Sequence, residues 1–380
     1  MSVRARKERP IRTTAIGLAI ALVVTLSASV AAEPIRIMTF NVENLFDTKH
    51  DEGKNDETYL PLAAKQNNAH RGKCARISVE RWRDQCLFWD WNERVLDRKL
   101  SVVADAIRQV DDGRGADIIA FQEVENVSLL ERLRTGYLAD LGYRPAVLLE
   151  GKDRRGIDVA FLSRFEVRDP RHHEIEFSAD VAARVGDTRP ILEATFVLDD
   201  GSLLTGYAVH FPAPFHPTVM RESAYRKLNA LLNALPAERN AFAAGDFNTT
   251  REEDGKKAML ERWVRPHWEV AHDLCGGCQG TSYHPPRDDW SFLDMVLWRS
   301  GGELRMAASY LANETDAQIT DAGTPRRFEL PEATGVSDHW PLVLEVTEEG
   351  KGRLILHALV RAATAFERPG GSPEARFDHQ

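Results

Sequence analysis

Four short segments of this 380-residue chain run from apolar, strand-like residues into carboxylate, amide or imidazole groups: TFNVEN (Thr39–Asn44), FQEVEN (Phe121–Asn126), AGDFNT (Ala244–Thr249) and VSDHWP (Val336–Pro341). Carboxylates delivered to strand ends are costly when half-buried unless they are paired or metal-bound, so several of them imply a cation or a catalytic hydrogen-bond network. A cation is the favoured reading, and the oxygen donors Asn41 and Glu123 suit Mg²⁺, Mn²⁺ or Ca²⁺ over zinc. Glu43 follows Asn41 by two residues and shares its face if the strand continues; the plainer alternative is a turn carboxylate in water. Asp246 and Asn248 have the same spacing, and Gly245 lets the backbone pass close to a ligand. Asp338 and His339 place an imidazole beside a carboxylate, a common means of fixing a tautomer and raising proton affinity. Asp294 is an acidic residue in an apolar strand, where it needs a partner, and His210 closes the apolar run Leu203 to Val209.

Such groups need strands to carry them. Strand-like runs recur at Ile35–Phe40, Ile118–Gln122, Val159–Ser163, Leu203–His210, Ala241–Asp246, Leu293–Trp298 and Leu342–Val346. Between them, Leu96, Leu100, Val103 and Ile107 recur at helical spacing, as do Ala224, Leu228, Leu231 and Leu235. Strands interleaved with helices predict a layered α/β sandwich, and about 310 residues suffice for one large domain, 33–349. Thr48–Trp91 is longer than an ordinary connection and ends rich in Trp82, Phe88, Trp89 and Trp91; it reads equally as a substrate-facing flap or as a disulfide-tied surface insertion. Residues 350–380 read as an amphipathic helix followed by a disordered tail.

The chain opens with Arg4, Arg6, Lys7, Arg9 and Arg12, then an apolar run from Ala15 to about Ala28 and the small residues Ser29 to Ala32. This is the pattern of an export signal, residues 1–32, cleaved after Ala31 or Ala32; an uncleaved membrane anchor is the competing reading. Losing residues 1–32 leaves 44 Lys and Arg against 57 Asp and Glu, a net charge of −13. So acidic a protein is a poor candidate for gripping long stretches of nucleic-acid backbone, although one phosphate can still be held by a cation and a local arginine cluster. Four cysteines in an exported chain imply two disulfides. Of three possible connectivities the local one, Cys74 with Cys86 and Cys275 with Cys278, is favoured over a redox or zinc role for Cys275-Gly-Gly-Cys278.

From Ile35 to about Val346 the motifs, in order and approximate spacing, resemble the endonuclease/exonuclease/phosphatase superfamily, which includes pancreatic-type deoxyribonucleases, abasic-site endonucleases, neutral sphingomyelinases and inositol-polyphosphate phosphatases. The resemblance implies a four-layer α/β sandwich, two mixed β-sheets flanked by helices, with a phosphoester-hydrolysing site at one end. It implies a metal on Asn41 and Glu123, with Glu43 an acidic position that some members use, and Asp338 facing the metal or a second cation. Asp246 would orient or deprotonate water, Asn248 would bind a phosphoryl oxygen, and His339 would be oriented by Asp294. His210 would contact the phosphate or protonate the leaving group, although Val209 stands where many members carry Asn. Arg155 matches a loop that often supplies phosphate or substrate contacts; a solvated loop arginine is the alternative. The opening Asn-Val-Glu-Asn-Leu-Phe-Asp is most like bacterial members described as nucleases. The expected reaction is therefore Mg²⁺-dependent (or Mn²⁺- or Ca²⁺-dependent) phosphodiester hydrolysis by an exported, periplasmic or secreted, nuclease. A phosphatase or sphingomyelinase-like phospholipase is the first alternative, and an inactive binding module the second. Nucleic acid or another phosphoester is the expected partner, with no obligate protein partner, and membrane contact only through an uncleaved leader or the C-terminal helix.

Overall fold

A computed structural model describes residues 33–348. Residues 1–32, where an export signal is expected, and 349–380, which include the expected C-terminal helix and tail, lie outside the described residues. Fourteen strands follow in chain order: β1 (Ile35–Leu45), β2 (Ile118–Val124), β3 (Val147–Leu148), β4 (Asp158–Ser163), β5 (Glu166–His173), β6 (Ile191–Val197), β7 (Leu203–His210), β8 (Asn240–Asp246), β9 (Glu269–Val270), β10 (Ser282–His284), β11 (Asp289–Ser291), β12 (Asp294–Arg299), β13 (Leu304–Leu311) and β14 (Leu342–Glu348). They form two six-stranded sheets, ordered β13-β14-β1-β2-β4-β3 and β5-β6-β7-β8-β12-β9, and a small β10-β11 hairpin. Both sheets are mixed: β1 with β2, and β7 with β8, pair in parallel within otherwise antiparallel neighbours.

Side chains of a strand alternate between its faces, and that period builds the layers. In β2, Ile118 and Ala120 enter the core between the sheets while Ile119 and Phe121 enter the core on the outer side of the first sheet. In β8, Phe242 and Ala244 face the other sheet, and Ala241 and Ala243 pack with the helix behind the second sheet. The outer layers include α3 (Glu93–Ile107) and α4 (Val127–Gly136) on the first sheet and α5 (Thr218–Asn233) on the second. Asn92 and Asn126 accept hydrogen bonds from Val95 N at 3.2 Å and Leu129 N at 3.1 Å, capping α3 and α4. Asn126, the only asparagine of FQEVEN, is thus a helix cap. Gly206 of β7 leaves room for the rings of Phe242 and Phe196, which a Cβ would meet at 2.4 and 2.7 Å.

The insertion 48–91 folds around α1 (Asn68–Cys74) and α2 (Glu80–Phe88), joined by the Cys74–Cys86 disulfide; Cys275–Cys278 is the second. Its aromatics divide. Trp91 is buried and donates its indole N–H to Phe46 O at 3.1 Å, with Tyr59 packed against it, whereas Trp82 and Phe88 are exposed. No helix among the described residues is long and apolar enough to cross a membrane.

Candidate active site

Strand register brings the polar groups together. His210 and Asp294 are the partners of Asp246 across β7 and β12, and Asn41 lies opposite Gln122, one residue before Glu123. At these strand ends the backbone leaves the extended region: Glu43, Asn44, Glu123 and Asn248 all have positive φ, 49°, 61°, 64° and 52°. Non-glycine residues take that conformation at a cost, and clustering of the cost around one cleft is typical of functional sites. Gly245 is obligatory: a Cβ there would lie 1.9 Å from Val209 O.

Asp246 is the hub. Its Oδ2 accepts from Asn41 Nδ2 at 3.2 Å and lies 3.5 Å from His210 Nε2, while Oδ1 accepts from Asn248 N at 2.9 Å. Burial pushes its carboxyl up to about 8, with His339 opposing and Asp294 adding to the shift. Asn248 is further held by donating Nδ2 to Phe211 O at 3.0 Å. His339 Nδ1 lies 2.6 Å from Asp294 Oδ2, both buried. Burial disfavours the imidazolium, yet the Asp294 carboxylate and its hydrogen bond, with Asp338 and Asp246 nearby, hold His339 well above its ordinary pKa. His210 behaves oppositely: burial, then Arg189 and Arg155, drive it well below. One imidazole of the site is therefore cationic and the other neutral at neutral pH.

Glu123 Oε2 accepts from Asn44 N at 3.0 Å and lies 3.7 Å from Arg155, which also donates to Asn44 Oδ1. Arg155 thus stands at the edge of the site, in contact with Glu123 and Asn44 and with its side chain 40% exposed. Glu43 is buried, not a water-exposed turn carboxylate. Its Oε2 accepts from Phe328 N at 3.2 Å and Asp338 N at 3.1 Å, and Oε1 pairs with Arg327 at 2.5 Å. Arg327 also pairs with Asp338, at 3.0 Å.

The residues fit a divalent cation. All the candidate donors are hard oxygens, Asp294 Oδ1 is buried without a hydrogen-bond partner, and the buried Asp246 carboxylate is disfavoured for want of compensating charge. Asn41, Glu123, Glu43 and Asp338 could offer ligands. Asp246, Asp294 and His339 also present ligand atoms within 4.8 Å of one another, with Asp294 and His339 already engaged with each other at 2.6 Å.

Every site residue expected from the sequence converges on this end of the sandwich. Sequence reasoning missed Arg327, Lys99, Arg189 and Ser337. Ser337 donates Oγ to Asn41 O at 2.7 Å, tying the VSDHWP turn to β1. Lys99 is buried in α3 with Nζ 2.6 Å from Val336 O; a lysine among the helix's buried positions was the available signal. The others carry no periodic signature. His339 and Asp338 line a cleft of about 760 Å³, which also presents Phe215, Tyr283, Lys256, Lys257 and Arg287.

The architecture matches solved structures. An endonuclease/exonuclease/phosphatase family protein from Leptotrichia buccalis C-1013-b superposes with a TM-score of 0.51 at 16% identity, over 82% of this chain and 99% of that one. A family protein from Beutenbergia cavernae DSM 12333 does so with a TM-score of 0.50 at 15% identity, over 84% and 72%. A functionally unknown conserved protein from Enterococcus faecalis V583 gives 0.50 at 16%, over 83% and 100%. At these identities the likeness is one of fold. No curated protein matches the chain in sequence. The sequence profile of the Endonuclease/Exonuclease/phosphatase family matches residues 38–339, most of the chain and all of the motifs that build the site. This chain therefore belongs to the endonuclease/exonuclease/phosphatase family, whose members are metal-dependent phosphoric ester hydrolases.

Proposed function

We propose that this protein is an exported, divalent-metal-dependent phosphodiesterase that cleaves nucleic acid by in-line attack of water on phosphorus. One observation carries the reading: Asp246 is held between Asn41 and His210, at 3.2 and 3.5 Å, beside a buried His339–Asp294 pair at 2.6 Å. Asn41 and Glu123 would hold a Mg²⁺-class ion, which would supply charge neutralisation at the phosphoryl and departing oxygens. Asp246, with the bound cation offsetting the burial that disfavours its charge, would orient water and accept its proton. Neutral His210 and the Asn248 amide hydrogen-bond the phosphoryl oxygens, and His339, kept protonated by Asp294, stabilises charge on phosphorus or on the leaving oxygen. Export is supported by the leader pattern of residues 1–32 and by the two disulfides.

The cleft's charge favours a second reading, a small phosphoester. Five basic side chains (Arg221, Lys256, Lys257, Arg287, Arg327) are nearly balanced by four acidic ones (Glu252, Glu253, Asp289, Asp338). Such a surface suits one phosphate or a short strand better than a long polyanion. Turnover should be assayed with Mg²⁺ on plasmid DNA, RNA, a phosphomonoester and sphingomyelin, with Asp246→Asn as control. DNA or RNA cleavage that falls about 10²–10⁴-fold in the variant is expected. Intact nucleic acid with turnover of a small ester would replace the first reading by the second, and an Asp246→Asn enzyme as active as wild type on every substrate would remove the mechanism.

A further inference from the structure

The carboxylates Glu43 and Asp338 face a guanidinium and an ammonium of the chain itself. Arg327 reaches Glu43 at 2.5 Å and Asp338 at 3.0 Å with two different nitrogens. Lys99, fully buried, sits with Nζ 2.6 Å from Val336 O and 4.8 Å from the centre of the Phe328 ring. Glu43, Asp338 and Glu123 all act electrostatically on Lys99. Two carboxylates thus meet a guanidinium and an amine, with burial opposing charge on Glu43, pushed up to about 7, and on Lys99, pushed down to about 8.

Arg327 is built into this place. Its loop closes on itself through Glu329 and Thr334, Val336 N donates to Arg326 O at 2.9 Å, and Gly335, with φ 88°, passes so close that a Cβ would lie 1.7 Å from Arg327 O. The neighbouring Phe328 is buried against Trp91, their ring centres 5.8 Å apart, while its N–H donates to Glu43. A guanidinium held at both ends of its segment keeps most of its geometry without a ligand. Arg327 also lines the cleft beside His339, so its remaining donors are available to a phosphoryl oxygen.

We infer that Arg327 is a resident cation that takes the place of a second metal ion between Glu43 and Asp338, so that this enzyme works with a single divalent ion, on the Asn41–Glu123 side of the site. A second divalent ion bound there would have to displace the guanidinium from both carboxylates in a poorly screened place. The inference rests on the proposed metal-dependent reading, and its readout is metal count, not turnover. Mn²⁺ binding to the wild-type protein, followed by calorimetry and by loss of the free-Mn²⁺ electron paramagnetic resonance signal, is expected to saturate at one ion per chain. Arg327→Ala should raise the count to two, Arg327→Lys should keep it at one, and Arg327→Ala combined with Asp338→Asn should return it to one. Two ions in the wild type, or one ion in a folded Arg327→Ala protein, overturns the inference; if the wild type still cleaves phosphodiesters, the proposed function stands. No Mn²⁺ bound to the wild type overturns both. Should Arg327→Ala fail to fold, the wild-type count alone decides.

Discussion

Two histidines of this site are shifted in opposite directions because their neighbours differ. His339 faces three carboxylates and is bonded to Asp294, whereas His210 is buried near Arg189 and Arg155 with Nδ1 unpartnered. A valine, Val209, precedes His210, and it is buried in the apolar core behind the second sheet. Replacing Asp294 by Asn keeps the shape but removes the charge that holds the His339 proton. Turnover should fall about 10²–10⁴-fold with little change in KM. Because the folded enzyme raises the His339 pKa, the alkaline limb of its pH profile should also move to lower pH in the variant. A pH profile of kcat that keeps its alkaline limb in place would show that His339 protonation is not what Asp294 sustains.

At the scale of elements, the site is made where strands end in unusual backbone. β1 and β2 shift register after Asn41 and Gln122, and the residues of those bulges, Glu43, Asn44 and Glu123, supply the acidic wall. Neighbouring strand starts also carry buried acid. Asp158, at the head of β4, accepts from Gly151 N at 3.0 Å through Oδ2 and leaves Oδ1 without a partner. Burial pushes its carboxyl up to about 7. The folded state therefore holds this proton more tightly than the unfolded chain, so the contribution to stability is fully present below about pH 4 and is lost as pH rises through 7. The loss amounts to at most about 4 kcal/mol. Urea unfolding should show a less stable protein at pH 8.5 than at pH 5, and Asp158→Asn should narrow the gap; an equal pH dependence in the variant would assign it to other groups.

The whole molecule is acidic, with a cleft of nearly balanced charge, and this bears on how it meets a polyanion. A protein that engages one or two phosphates through Arg327, Arg155 and a metal ion should show a shallow salt dependence. The slope of log affinity for a single-stranded oligonucleotide against log salt, measured on Asp246→Asn with Ca²⁺, is expected at about −0.7 to −1.4. A slope several-fold steeper would reveal an extended basic track. None of insertion 48–91 lines the cleft; it covers the first sheet's outer core with Trp91 and Tyr59 and presents Trp82 and Phe88 to solvent.

The seven principal strands, the two helices with clean periodicity, the local cysteine pairs and the residues around Asp246 could be read along the chain, because each rests on local order: alternation, helical spacing, or polar groups terminating an apolar run. That Asp294 needs a partner was legible for the same reason, an acid inside an apolar strand; that the partner is His339 was implied by the family resemblance. Only the tertiary structure decided what surrounds Glu43 and Asp338. Arg327 lies 284 residues after Glu43 and Lys99 lies on another layer, so their meeting depends on how the 319–341 loop folds back over β1 and α3. Likewise, the charge of a histidine follows from the dielectric and the charges that packing places around it, and no motif spells those out.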